Sequence, residues 1–472
     1  MNSGSEPVGA TGLALQIDRA AVAALHEQIE ESIRAGIRSG ALAAGVALPS
    51  SRSLAAELGV SRGVVSEAYG QLAAEGYLLI RQGAPVRVAL SVRPARPRQR
   101  AESLQPSFAY RFDPALPDLA GFPRDRWLRS LRAAWRQAPI DAAAYPDPRG
   151  VPALREALAD YLGRVRGTGA APEQIVVCTG FRQAFSLLCR WLAEAGVERI
   201  ALEDPGWHPH RLVAEQNGLG VVAVGVDEEG LLVDELKASG ARAVVVTPAH
   251  QFPTGSLLGS ERRAALVEWA EAGENLIVED DFDAEYRYDR AGVGALQGLA
   301  PERVAYIGSA SKRLAPALRL GWALLPSWLA WQLAPAKAVE DGGCEAIGQL
   351  ALCDFIERGE LDRHIRRSRL RYQRRREALI AALGKWLPEL SLGGGAAGLY
   401  ELAELPPGVE EAGFVARAQA LGVGLEPLAL HRFEPGGRAG VVLGFGALAE
   451  PAIERGVKLL GQALEPGRVP RG

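Results

Sequence analysis

The chain has 472 residues, 48% of them apolar, and a formal net charge of -3, which leaves room for two or three separately cored domains. No apolar run approaches the roughly 18–20 residues that cross a bilayer; with an N-terminus that lacks the basic-then-apolar order of a secretion signal, a cytoplasmic chain is expected. A charge this small excludes a protein that coats nucleic acid over its whole surface and leaves room for one local basic face. Cys178, Cys189, Cys344 and Cys353 form no C-x-x-C pair and sit in apolar segments, the pattern of reduced core residues and not of a metal site or disulfide framework.

In chain order, Val22, Leu25, Ile29, Ile33 and Ile37 recur at three- and four-residue steps and predict an amphipathic helix over 20–38, ending before Gly40. Pro49, Ser50 and Ser51 then supply a cap and first turn for a short helix carrying Leu54 and Leu58, which Gly59 stops. Ser61 caps a third helix with Val65, Tyr69 and Leu72 facing inward. Such spacing is that of a helix-turn-helix. From Tyr77 to Ala89, β-formers surround Gln82-Gly83-Ala84-Pro85 and predict a hairpin, a wing. Residues 91–106, rich in proline and arginine, read as a solvated basic linker.

In a helix-turn-helix the third helix enters the major groove, where Arg62 and Ser66 are placed to meet base edges. Ser51, Arg52 and Ser61 stand where phosphate oxygens pass. The stretch Leu48-Pro-Ser-Ser-Arg-Ser-Leu-Ala-Ala-Glu-Leu-Gly-Val-Ser-Arg-Gly-Val-Val-Ser-Glu-Ala-Tyr69 resembles the winged helix-turn-helix of GntR-type bacterial regulators. That resemblance implies double-stranded operator DNA as a partner.

Beyond the linker, short β-branched runs alternate with helical stretches: 175–178, 199–202, 221–226, 243–246, 276–278 and 304–307. The alternation predicts an α/β body with a mostly parallel sheet. Helical character rises from about residue 326, and Val441–Phe445 reads as a strand of a smaller α/β part. The domains expected are 15–90, the linker 91–106, and a body over 107–472 with its large part at about 145–325 and its small part at about 326–472.

Chemistry that needs a primary amine has five candidates, Lys237, Lys312, Lys337, Lys385 and Lys458, and only Lys312 follows a strand within a run of small residues, Gly308-Ser-Ala-Ser-Lys312. Small neighbours let a ring lie against the backbone, so Lys312 can form an imine with a bound aldehyde, and pyridoxal 5'-phosphate is the aldehyde that fits. Asp280 is the candidate carboxylate for the ring nitrogen. Gly180, Phe181 and Arg182, at a strand-to-helix turn, offer amides and a helix dipole to the phosphate, with Ser309 and Arg319 completing the cradle. Trp207 is placed to stack on the ring.

Tyr145-Pro-Asp-Pro-Arg-Gly, Thr247-Pro-Ala-His-Gln-Phe-Pro-Thr-Gly255, Glu279-Asp-Asp-Phe-Asp-Ala-Glu285 and Ser309-Ala-Ser-Lys312 occur in the order seen in fold-type I aminotransferases, which the chain resembles from about Tyr110 onward. Joined to the GntR-like segment, this is similar to the MocR/GabR family of regulators. The resemblance implies Lys312 in an internal aldimine, Asp280 at the ring nitrogen, and Arg319 with Ser309 at the phosphate. It puts His250 or Gln251 at the ring hydroxyl and carries Tyr145 to the phosphate of a neighbouring subunit in a head-to-tail homodimer. Phe282 departs from the family's usual Tyr; Pro209 interrupts the stretch between Trp207 and Arg211; the 441–445 strand lacks an Arg for a substrate carboxylate, for which Arg432 and Arg438 are the alternatives. A regulator sensing a small amino compound or pyridoxal phosphate itself is expected, with imine exchange in place of full turnover. An aminotransferase with an accessory DNA-binding domain is the competing reading.

Overall fold

The computed structural model describes residues 15, 17–89, 108–288 and 292–464. The chain divides into two compact units, 1–106 and 107–472; the stretch 91–106 read as a linker lies outside the described residues.

In the N-terminal unit α1 spans Leu25–Ser39, α2 Ser51–Leu58 and α3 Arg62–Ala74. Strands β1 (Leu78–Leu79) and β2 (Arg87–Val88) pair antiparallel as the wing. Helix α1 starts five residues later than its periodicity predicts, and Val22 is fully exposed. The reason is local: Gln28 donates to the carbonyls of Asp18 and Ala23 and accepts from Asp18 N, holding the preceding chain as a turn. Ser50 Oγ accepts from Ser53 N at 3.1 Å to cap α2, and Gly59, at φ +64°, ends it in the left-handed conformation that glycine adopts without strain. Ser61 holds the capping position of α3, but its side chain accepts no backbone hydrogen bond there. Ile29, Ile33 and Ile37 of α1 meet Leu54, Val65, Tyr69, Leu72, Leu78 and Val88 in one core; each such side chain contributes about 1.5–3 kcal/mol on full burial.

The second unit is an α/β body. Its large sheet is formed by β4 (Ile175–Cys178), β5 (Arg199–Asp204), β6 (Gly220–Asp227), β7 (Gly230–Leu231), β8 (Ala243–Val246), β9 (Leu276–Asp281), β10 (Val304–Ser309) and β11 (Gly321–Leu324), in the spatial order β4-β11-β10-β9-β8-β5-β6-β7. A short strand before these, β3 (Tyr110–Arg111), pairs in parallel with Val423–Gly424. The pairs from β10 through β9, β8 and β5 to β6 are parallel, whereas β11 runs antiparallel to both its neighbours. Central strands such as β8 and β9 are buried at every position, as sheets covered by helices on both faces require. The small part carries a four-stranded antiparallel sheet that includes Tyr400–Glu404 and Gly440–Gly444, packed with helices such as Glu360–Trp386. All four cysteines are free and buried. Among the described residues no helix is long and apolar enough to cross a membrane.

Candidate functional site

The N-terminal ends of α2 and α3 come together. Arg62, the first residue of α3, points Nε at Ser51 Oγ, the first residue of α2, at 3.4 Å. Around this pair Arg52, Ser61, Gly63, Ser66 and Glu67 are exposed. Two helix N-termini and two exposed guanidinium groups on one face suit a phosphate backbone, with Ser66 one turn further along α3. Tyr69, on the opposite side of α3, donates its hydroxyl to Pro49 O at 2.9 Å and so fixes α3 against the start of α2.

In the body, the C-terminal ends of β4, β5, β8, β9 and β10 open on a cleft of about 320 Å³. Lys312 stands one turn after β10, on a short helix started by Ser309, whose Oγ accepts from Ser311 N. Its Nζ donates to Ala115 O. Burial pushes the Lys312 ammonium down to about 8, and the nearby carboxylates of Asp113, Asp283, Asp280 and Glu426 offset only part of that cost. Asp280, on β9 beside β10, is buried, and burial pushes its carboxyl above the ordinary Asp value. His210 counters this: its Nε2 lies 3.1 Å from Asp280 Oδ2 and keeps the carboxylate form within reach.

At the other end of the cleft, Gly180 (φ +105°) precedes the helix Phe181–Glu194. A Cβ there would stand 3.2 Å from Arg319 Nη1, and one on Gly321 would meet Gly180 Cα at 2.7 Å. Arg319 itself takes a left-handed backbone (φ +51°), which aims it at the glycine turn. Phe181, Arg182, Ser309, Ser311 and Arg319 line this end. Trp207 forms a wall and packs edge-on against Phe181 and His210, with Arg182 5.7 Å from its ring centroid.

Not every residue singled out in the sequence reaches the cleft. Gln251 is buried in its own loop: Nε2 donates to Glu203 Oε2 and Pro205 O, and Oε1 accepts from Thr254. Those bonds spend the amide, so the assignment of Gln251 to the cofactor is corrected; the wall at this loop is Thr247 and Phe252. His250 is likewise engaged, 3.1 Å from Asp283 and stacked on Tyr400. Tyr145 is 95% exposed and stands outside the cleft of its own chain. Arg432 donates to the carbonyls of Gly436 and Arg438, Arg438 pairs with Glu404 at 2.8 Å, and Arg211 pairs with Glu215 at 3.0 Å; none of the three lines the cleft. Val442 is fully buried among Phe252, Tyr400, Leu402 and Leu428, with Phe282 and Trp207 against them, so this flank is apolar. His210 was missed in the sequence, although it follows Trp207 by one helical turn.

These residues fit pyridoxal phosphate. A glycine turn under an arginine suits a phosphate, a buried amine suits an aldehyde, and a His-backed carboxylate suits a protonated ring nitrogen. Fold and site together define a DNA-binding regulator with a body of aminotransferase fold. The aminotransferase class I and II family matches residues 119–421, and the gntR family of bacterial regulatory proteins matches 25–88. The chain is 35% identical to the HTH-type pyridoxine biosynthesis transcriptional regulator PdxR of Corynebacterium glutamicum, over 90% of this chain and 93% of that one. It is 32% identical to the probable rhizopine catabolism regulatory protein MocR of Rhizobium meliloti, over 95% of each. Among solved structures, the kynurenine aminotransferase of Pyrococcus horikoshii superposes with a TM-score of 0.70 at 25% identity, covering 76% of this chain and 91% of that one. The chain therefore belongs to the MocR-type family of transcriptional regulators, which join a gntR-family helix-turn-helix to an aminotransferase-like body, and its cofactor is pyridoxal phosphate.

Proposed function

We propose that this regulator works in the cytoplasm as a head-to-tail homodimer and changes its hold on operator DNA when the cleft takes up pyridoxal phosphate or when a small amine meets the cofactor there. When bound, the cofactor supplies an aldehyde that exchanges one primary amine for another. Lys312 offers that aldehyde a neutral amine, which its desolvation makes available near neutral pH. Asp280, held by His210, would keep a proton on the ring nitrogen, and Trp207, on the wall of the cleft, would stack on the ring. The amides at Gly180, Phe181 and Arg182, with Ser309 and Arg319, bind the phosphate. Tyr145 reaches the phosphate of the neighbouring subunit; its near-complete exposure, with that of Ile140 and Val339, suits a surface that a second copy covers. Arg62 and Ser66 read base edges while Ser51, Arg52 and Ser61 hold the backbone.

The observation that carries this reading is the combination of Lys312 and Asp280 with an apolar flank. Lys312 and Asp280 line one cleft, as an amine and a carboxylate serving the cofactor would, whereas Val442 stands on the strand that the resemblance assigns to a carboxylate-binding arginine. Capture of the cofactor therefore does not require turnover of an amino acid. The test follows the visible band on adding pyridoxal phosphate and then a panel of amines and amino acids, with keto products assayed alongside. Sensing predicts a band that shifts without keto product, and sustained product formation would replace it with the aminotransferase reading.

A further inference from the structure

Asp280 on β9 and Lys312 on the short helix after β10, which line the cleft together, are each followed by a buried charged residue. Asp281 comes after Asp280 on β9, and Arg313 comes after Lys312. Strands β9 and β10 run parallel, with Ile307 opposite Asp280 and Gly308 opposite Asp281. Arg313, with a side chain that is wholly buried, bonds Glu285 through Nε, approaches Asp281 Oδ2 at 3.5 Å through Nη2, and donates Nη1 to Ser309 O at 2.7 Å. Arg166, from the helix Pro152–Arg166, donates Nε to Asp281 Oδ2 at 2.8 Å, and Tyr306 donates its hydroxyl to the same oxygen. Tyr286 donates to the backbone carbonyl of Lys312 at 3.2 Å.

Two guanidinium groups and the carboxylates of Asp281 and Glu285 meet beneath the cleft, with Glu279, whose carboxyl burial pushes up to about 7, also acting on Arg166. Buried ion pairs contribute little net stability compared with apolar packing, because desolvation cancels most of the attraction. Their geometric demand is stricter, since removing one partner strands the others. Here that demand falls on the residues next to the cofactor pair.

We propose that Arg313, held by Asp281 and Glu285, is a positioning residue that sets the separation of Lys312 from Asp280 across the cleft, with Arg166 holding Asp281 from the other side. This rests on the reading of the cleft as a pyridoxal-phosphate site. The carboxylates that act most on Lys312 are Asp113, Asp283, Asp280 and Glu426, from the segment before the large sheet, from β9 and the turn after it, and from the small sheet. An unbalanced cluster adds a further charge to these.

The experiment uses the full chain and three variants, Arg313→Lys, Arg313→Gln and Glu285→Gln. Cofactor affinity is read from the visible band. Independently, acetic anhydride labelling of cofactor-free protein across pH, followed by peptide mass spectrometry, gives the titration midpoint of Lys312. Arg313→Gln removes a positive charge and moves the midpoint up; Glu285→Gln removes a carboxylate and moves it down; Arg313→Lys leaves it in place. Cofactor binding weakens by about tenfold or more in Arg313→Gln and recovers partly in Arg313→Lys, as expected when a reacting group is misplaced by a fraction of an ångström. Unchanged midpoints in Arg313→Gln and Glu285→Gln, or a fall in melting temperature without them, would overturn the proposal. If Arg313→Gln does not fold, the downward shift in Glu285→Gln against the unchanged Arg313→Lys decides. A wild type that takes up no cofactor overturns the reading of the cleft instead, and the opposed midpoints still report on the clamp.

Discussion

In the N-terminal unit the residues assigned to chemistry, Arg52, Arg62 and Ser66, stand in water around an apolar core, whereas in the body Asp280, Asp281, Arg166 and Arg313 lie beneath the surface. The difference follows from the two ligands. A duplex carries its own dense charge, and cations that displace its counterions must be exposed to meet it, at the cost of sensitivity to salt. A small cofactor is held by few groups, each of which counts for more where water is excluded and the effective dielectric is low. One unit spends solvated charge on affinity, and the other uses desolvation to set protonation states.

That contrast can be broken from either side. Lys312→Ala has the largest expected effect: loss of the visible band with pyridoxal phosphate, while operator binding by the cofactor-free protein is kept. The wild-type body is next. Because burial pushes Lys312 down to about 8, its neutral form falls about tenfold for each pH unit below that value. The rate of cofactor capture should therefore rise through pH 6 and 7 and level off above about 8; stopped-flow absorbance reads this, and a rate still climbing to pH 10 would place Lys312 in open solvent. Arg62→Ala should weaken operator binding by about 1–3 kcal/mol, and a salt titration tells whether the loss is base reading or a phosphate contact. The smallest effect is expected from Ser50→Ala, which removes the cap of α2 and costs about 1 kcal/mol in the N-terminal unit, measurable as a shift in its unfolding transition.

The same contrast governs what was legible in the sequence. Helix-turn-helix elements are set by local signals: the caps Ser50 and Gly59 and the 3.6-residue stripe of α3 lie within a few residues of one another, so both ends of α2 and the start of α3 are legible to within a residue. The strands 175–178 and 243–246 are legible at their observed limits because strands buried on both faces are short runs rich in β-branched residues. What was hidden depends on contacts remote in the chain. Strand β11, Gly-Trp-Ala-Leu, has no β-branched residue and is recognisable by its pairing with β4 and β10. Gln251 carried a motif that suggested a ligand, but its partner Glu203 lies 48 residues away. The pairing of Arg313 with Glu285 spans 28 residues and that of Arg166 with Asp281 spans 115, distances at which no periodicity speaks. Val22 shows the converse error, in which an apolar residue in phase with a helix stays outside it because Gln28 ties down the turn.

The central claim is that chemistry at Lys312 reaches the DNA. The direct measurement is fluorescence anisotropy of a labelled operator duplex at fixed salt, titrated with wild type and with Lys312→Ala, each with and without saturating pyridoxal phosphate. Operator affinity that changes with cofactor in the wild type and stays constant in Lys312→Ala is the result expected; the same affinity in all four titrations, with the visible band of the wild type intact, would contradict it.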